Sequence, residues 1–296
     1  MIQMTNQKKP ETEMLVVEDI GLDFPPSVRR LMKKVEETAD LPVWIQFVAD
    51  LDSGLGEFIP AVDNADHHEV IVSTSSGTDQ TYYTLAHELT HALRTLSVPT
   101  CRRKVIAFNE TGVIFEAAMR HASEALEQGK SSDIHDALGV FFDWLCRMAS
   151  QIHGPEEVEV DRFVWHQCPD LREAFIENVM TLQKSTLTGI LDGHSSLWEP
   201  LNQIWGASLY PPLWFAGLRI GEKLTTPYYD HPWVLKKARE LTTIVQNKEP
   251  GYEGDLKAIE QWIEVLELQD ILRLVNPSEE PVGRDRKSTR LNSSHT

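Results

Sequence analysis

The sequence after Pro99 is dominated by helical spacing of apolar residues, and this pattern most limits the possible folds. Candidate helices run over 110–128, 133–152, 155–167, 170–186, 197–205, 213–223, 232–247 and 254–274. Before Pro99, a helix begins at Pro25-Pro26, and a second helix spans residues 80–96. Between these two helices, β-branched and aromatic runs predict strands at 42–48, 57–62 and 69–73.

The order of these elements predicts an α+β fold in which helices dominate. A helix, a small three-stranded sheet and the helix at 80–96 come first, and an all-helical region follows. We assign residues 14–165 to a core and 166–282 to a helical region that completes a cleft. Residues 1–13 are expected to be a disordered leader. The basic tail 283–296 resembles translated sequencing-adaptor read-through and is excluded from the fold prediction.

The helix at 80–96 contains the motif His87-Glu88-Leu-Thr-His91, which has the pattern HExxH. Positions i and i+4 lie above one another on a helix, so His87 and His91 can direct two imidazole nitrogens at one metal ion. Glu88 then lies beside the open coordination position, where a carboxylate can serve as a general base. The alternative is a pair of structural histidines with Glu88 in a salt bridge.

A hydrolytic zinc site needs a third protein ligand, and two downstream glutamates are candidates. Glu157 is followed at i+4 by Asp161, which can accept a hydrogen bond from a ligating histidine. Glu116 is closer to His91 in sequence, but its i+4 residue is Arg120, a poor partner for such a histidine. We favour Glu157 for this reason and keep Glu116 as the alternative.

These motifs resemble the zincin metallopeptidases with a glutamate ligand, most closely the M48 type. That type has HExxH, a distant E-x-E-A-D-x-F-A helix and a His-Pro motif followed by a basic residue. This chain has Glu157-Val-Glu-Val-Asp161-Arg-Phe163-Val, then His231-Pro232, with Lys237 in place of the expected arginine. The resemblance implies a zincin-like core and one Zn²⁺ ion held by His87, His91 and Glu157.

Two weaker resemblances place the third ligand closer to the motif. The segment Asn109-Glu-Thr-Gly-Val-Ile-Phe-Glu116-Ala resembles thermolysin-type peptidases, in which Glu116 would be the ligand. The strand at 57–59 together with Tyr82-Tyr-Thr-Leu-Ala-His-Glu-Leu-Thr-His resembles the metallopeptidase domain of antirestriction proteins.

Other polar residues have two interpretations each. His231, Tyr228 or Tyr229 could stabilise an oxyanion, although a surface loop with stacked aromatic rings is the simpler reading. The pair His67-His68 could bind metal, but an exposed pair is favoured. The strand at 69–73 is either an edge strand that pairs with an extended peptide or an internal strand.

Composition excludes several classes of function. With 28 basic and 45 acidic side chains, the net charge is 28 − 45 = −17, which disfavours binding to nucleic acid or to anionic lipid. No run of about 18 apolar residues is present. The three cysteines lack CxxC spacing, so we expect reduced thiols in a cytoplasmic protein.

The sequence therefore predicts a zinc-dependent peptidase that acts on a peptide or protein substrate, with Glu88 as general base. The alternative is a non-proteolytic binding protein of zincin fold with a structural metal site, as in an antirestriction-like protein. A helical scaffold with an accidental motif is the third reading. The oligomeric state does not follow from the sequence.

Overall fold

The N-terminal part of the fold is a four-stranded mixed sheet. The computed structural model describes residues 15–17, 21–51, 55–61, 65–184 and 201–276. Strands β1 to β4 are Leu15–Val17, Val43–Val48, Gly56–Ile59 and His68–Ser73. Their order across the sheet is β1-β2-β4-β3. Strands β1, β2 and β4 run parallel to one another, and β3 runs antiparallel to β4. The leader 1–13 and the tail 283–296 lie outside the described residues.

Two helices cover one face of this sheet. Helix α1 (Pro26–Thr38) has proline at its first position, where the missing N–H costs nothing. It buries Val28, Leu31 and Val35. Helix α2 (Thr78–Leu96) packs against α1 and against β3 and β4. Alternate residues of the central strands, such as Val70 and Val72, are fully buried in this interface.

The sheet differs from the sequence prediction in its number of strands. It has four strands instead of three, because Leu15–Val17 pairs with the start of β2. The strand predicted at 69–73 is β4, and it lies inside the sheet between β2 and β3. Of the two alternatives for this strand, the structure has the internal strand, and the edge next to α2 is β3.

The rest of the described chain is mainly helical, as predicted. Helices α3 to α9 are Thr111–Glu127, Ile134–Gln151, Gly154–Gln167, Arg172–Leu182, Leu201–Ile220, Pro232–Asn247 and Tyr252–Val265. A buried hydrophobic cluster runs without interruption from Val28 in α1 to Leu272 near the last of these helices. The sheet and the helices thus share one core.

Two predictions about this helical region were wrong. The described part of the predicted helix 197–205 and the predicted helix 213–223 belong to one helix, α7, which continues through Pro211-Pro212, and residues 197–200 lie outside the described residues. Most of its residues from Gly206 to Gly217 are buried, so tertiary packing outweighs the penalty of proline inside a helix. The predicted helix 254–274 ends at Val265, and Leu272–Val275 forms strand β6, which pairs antiparallel with β5 (Val105–Phe108).

The fold class is confirmed as α+β with helices dominating and a small mixed sheet. None of the helices in the described part of the chain combines the length and the apolarity that crossing a bilayer requires. The three cysteines are unpaired, with Cys101 and Cys146 exposed and Cys168 buried.

Candidate metal centre

Helix α2 presents the HExxH motif from a firmly packed element. It begins after Gly77, whose φ of 87° suits glycine and few other residues. Leu85, Ala86 and Leu89 are fully buried, which fixes the rotation of the helix about its axis. His87 and His91 therefore project side by side from the opposite part of the helix surface, towards α5.

Glu157 on α5 completes a cluster with these two histidines. Its Oε2 atom lies 2.9 Å from Nε2 of His87, and its Oε1 atom lies 3.2 Å from Nε2 of His91. The two Nε2 atoms are 3.2 Å apart. Of the residues that the structure describes, this is the one group of three or more candidate ligands that could hold a metal ion.

The three side chains lie close enough together to hold one small divalent ion. In a tetrahedral site with bonds of about 2.0–2.1 Å, neighbouring ligand atoms are about 3.3 Å apart. The two Nε2 atoms are 3.2 Å apart, close to that value, and each lies 2.9 to 3.2 Å from a different oxygen of Glu157. Two imidazoles and one carboxylate are also a donor set that zinc accepts while a fourth position stays open.

Asp161 lies behind His87, in the position predicted from its i+4 spacing. Its Oδ1 atom is 3.4 Å from Nδ1 of His87, a charge contact that is long for a hydrogen bond. Asp161 also accepts a hydrogen bond of 3.1 Å from the hydroxyl of Tyr83. Burial raises the pKa of Tyr83 well above its ordinary value, so this hydroxyl stays protonated and donates to Asp161.

Glu156 has the corresponding position behind His91, and the sequence prediction missed it. Its Oε1 atom lies 3.3 Å from Nδ1 of His91, and its Oε2 atom lies 3.3 Å from Nδ1 of His153. The side chain is only 10% exposed, so it is not a solvated surface acid. Helix α5 thus supplies one candidate ligand and a carboxylate for the far nitrogen of each histidine.

Glu88 lies against the edge strand of the sheet. A Cβ atom at Gly56 of β3 would come within 2.8 Å of Cγ of Glu88 and within 2.5 Å of Cγ2 of Thr84. Only glycine allows β3 to approach α2 this closely. Burial raises the pKa of the Glu88 carboxyl, and the positive charges of His87 and His91 oppose that shift.

The cluster has strong internal electrostatics. Burial alone would lower the pKa of His87, but the charge of Glu157 and a contact with Asp161 outweigh it and raise the value to about 10. Burial also acts against the charged form of His91, yet Glu157 and Glu156 raise its pKa well above the ordinary value. Protons are therefore held at the atoms that would ligate a metal.

Glu116, the alternative third ligand, lies elsewhere. It is exposed on α3, which packs mainly against α4. It is not among the residues that converge with His87 and His91 in the described chain. The geometry therefore selects Glu157 over Glu116.

The residues proposed for an oxyanion site have other partners. Tyr228 is fully buried and donates a hydrogen bond of 2.7 Å to the carbonyl of Gly206. Tyr229 is 62% exposed, and His231 occupies the N-cap position of α8 without a side-chain capping bond, outside the histidine–glutamate cluster. Lys237, in the place of the family's arginine, bonds to the carbonyl of Val265 and to Glu267.

The pair His67-His68 is divided between the surface and the interior. The ring of His67 stacks on Trp44 with 4.1 Å between centroids, and it contacts Asp66 and Glu69. His68 is fully buried, where its Nδ1 atom accepts a bond from the N–H of Ala61 and its Nε2 atom faces Asp40. The expectation of an exposed pair is therefore wrong, because His68 is buried and the side chain of His67 is only 21% exposed.

Comparisons with known proteins return no relative. No protein-family model, no curated protein and no solved structure matches the chain.

Proposed function

We propose that this protein is a zinc-dependent peptidase built on a zincin-like core. The observation that carries the proposal is the convergence of His87, His91 and Glu157, with Glu88 on the adjoining position of α2. A donor set of two histidines and one glutamate suits zinc with an open position. Zinc bound by such residues supplies Lewis acidity and lowers the pKa of a hydrolytic water towards about 7.

Glu88 serves as the general base in this proposal. Its pKa is raised by burial, which brings it closer to the pH at which a carboxylate exchanges protons efficiently. The carboxylate takes a proton from the attacking water and later delivers it to the leaving amine. Asp161 and Glu156, whose carboxylates lie near the Nδ1 atoms of His87 and His91, would orient the two imidazoles when a metal is bound.

The edge strand β3 offers a place for an extended peptide. The N–H of Ser73 donates to the carbonyl of Leu55 at 2.7 Å, so every second residue along β3 bonds to β4. This alternation turns the N–H and C=O groups of Gly56 and Phe58 away from β4. Within the described chain no strand pairs on that side. A substrate strand added there would pass next to Glu88.

The three unpaired cysteines and the acidic composition are compatible with a cytoplasmic protein whose substrate is a peptide or protein. They do not contribute to the chemistry of the site. The proposed chemistry depends only on the bound metal and on Glu88.

The decisive experiment is the zinc-to-protein ratio of the full chain after reconstitution, beside Glu157→Ala and Glu116→Ala. We expect a ratio near one for the parent and for Glu116→Ala, and a clear loss for Glu157→Ala. Cleavage of a mixed peptide library by the zinc-loaded parent then tests hydrolysis. Zinc binding without cleavage of any peptide would favour the binding-protein alternative, and a parent that binds no zinc would exclude both.

A further inference from the structure

A chain of four alternating charges connects the two helices that carry the candidate ligands. Arg94 lies on α2, three residues after His91, and forms an ion pair with Asp255 at the start of α9. Lys248, which follows α8, lies 2.7 Å from the second oxygen of Asp255. The same ammonium group lies 3.2 Å from Glu159 on α5. We call Arg94, Asp255, Lys248 and Glu159 the ionic bridge.

The ionic bridge is buried and has no part in the proposed chemistry. The side chains of Lys248 and Asp255 are 5% and 2% exposed, and those of Arg94 and Glu159 are below 20%. Charges removed from water at this depth are retained only when each has a partner of good geometry. Loss of Lys248 would leave Asp255 with Arg94 alone and Glu159 with Arg162 alone, so the connection between the two helices would be broken.

The ionic bridge lies close to the candidate metal ligands along both helices that carry them. Its two ends lie on α2 and α5, within one helical turn of His91 and Glu157 respectively. Of its two middle members, Lys248 lies in the connection between α8 and α9, and Asp255 lies in the first turn of α9. A displacement of α9 would therefore change the ion pairs that reach α2 and α5. A change in the distance between α2 and α5 would likewise lengthen the ion pairs of the ionic bridge.

We propose that the ionic bridge sets the spacing between α2 and α5 and thereby couples metal affinity to the docking of residues 248–265. This inference rests on the metal site of the proposed function and does not depend on hydrolysis. Arg94, Asp255, Lys248 and Glu159 are positioning residues, since none belongs to the ligand cluster. Coupling is reciprocal, so metal binding must also stabilise the segment 248–265.

The first test uses the unaltered full chain. Hydrogen exchange of residues 248–265 is measured without metal and with saturating zinc, by mass spectrometry of peptides. We expect zinc to slow exchange in this segment as well as in α2 and α5. Unchanged exchange in 248–265, while α2 and α5 become protected, overturns the proposal.

The second test compares two lysine variants that lose the same charge. Lys248→Met breaks the ionic bridge. Lys257→Met removes an exposed ion pair between α9 and Glu249 and leaves the ionic bridge intact. Zinc affinity is measured by competition with a chromophoric chelator, and circular dichroism checks the fold. We expect zinc binding roughly three- to thirtyfold weaker in Lys248→Met, and unchanged binding in Lys257→Met.

Lys248→Arg keeps the charge and should restore most of the affinity, which a purely steric role would not predict. Equal zinc affinity in folded Lys248→Met and in the parent overturns the inference and leaves the peptidase proposal intact. If zinc affinity depends on Lys248 in this way but the zinc-loaded protein cleaves no peptide, the coupling is supported and the peptidase proposal is overturned. If Lys248→Met does not fold, the exchange experiment on the parent decides the question.

Discussion

Nε2 of His87 lies 2.9 Å from Oε2 of Glu157, although 70 positions separate these residues in the sequence. The contact exists because the hairpin of α3 and α4 returns the chain so that α5 packs directly against α2. A third ligand chosen by sequence proximity would have been Glu116, which is exposed on the hairpin itself. The glutamate that converges with the two histidines is therefore the one that is distant in sequence.

Replacing Glu88 by glutamine should separate metal binding from hydrolysis. The amide keeps the shape of the side chain but cannot accept a proton, so kcat/KM should fall at least about a hundredfold. Zinc content should stay at the parental level, because Glu88 is not one of the converging donors. Peptide cleavage by Glu88→Gln at the parental rate, with zinc fully bound, would falsify the proposed role of this residue.

Replacing Glu156 should lower the metal affinity of the site without removing one of its candidate ligands. Glu156→Leu eliminates the carboxylate behind His91, and loss of such a partner typically reduces metal affinity by about ten- to a hundredfold. Glu156→Gln keeps an oxygen that can accept a hydrogen bond and should retain more affinity. Chelator competition gives the dissociation constants, and Glu116→Leu on an exposed helix position is the matched control. An equal loss in both leucine variants would contradict the assignment.

A methyl group at Gly56 on β3 should displace the side chain of Glu88 on α2. In Gly56→Ala the new Cβ would approach both Thr84 and Glu88 to less than 3 Å, so the strand or the helix has to move. We expect a free energy of unfolding lower by about 1–3 kcal/mol and a reduced kcat. Urea denaturation and peptide cleavage measure the two effects.

The double variant Gly56→Ala with Thr84→Ser distinguishes the two contacts in this region. Serine removes the Cγ2 atom that the new methyl group would meet, so part of the stability should return. The contact with Glu88 remains, so kcat should stay low. Full recovery of kcat would mean that Glu88 was not displaced.

The metal-free protein should lose stability as the pH rises above neutrality. The pKa of His87 is raised to about 10 in the folded state, against about 6.5 in the unfolded chain. The folded state then binds more protons across this interval, so its advantage is complete below about pH 6.5 and disappears towards pH 10. Urea denaturation with a chelator present, at several pH values between these limits, tests the slope. Its control is His87→Gln, in which the slope should be smaller.

Zinc should reverse that dependence, because it competes with the same protons at His87 and His91. Binding at neutral pH should release about one to two protons, and affinity should fall as the pH falls. Calorimetry in two buffers of different ionisation enthalpy measures the number released. An enthalpy that is independent of the buffer would show that the two histidines are already neutral.

The sequence predicts local elements well where a local signal fixes them. Pro26 marks the start of α1, and the apolar spacing of 232–247 predicts the bounds of α8 as the structure has them. The HExxH motif is of this kind, since one helical turn suffices to align His87 with His91. Asp161 is one turn from Glu157, and its position could be predicted by the same rule.

Features that depend on distant partners could not be predicted in this way. Strands β1 and β6 are three and four residues long and become strands only because β2 and β5 pair with them. Glu156 looks like one more acid in an acidic protein until α5 docks on α2. Pro211-Pro212 is a local signal to end a helix, and the buried surroundings of α7 override it.

The pairing of β5 with β6 has a consequence for how this protein is made. Strand β5 follows α2 closely, but its partner β6 is the last strand that the structure describes. Synthesis proceeds from the N-terminus, so α2 and α5 leave the ribosome well before Lys248, Asp255 and β6. A nascent chain therefore carries all its candidate ligands before the ionic bridge and the β5–β6 pair can form. Residues 105–108 find their strand partner only once residues 272–275 have been synthesised.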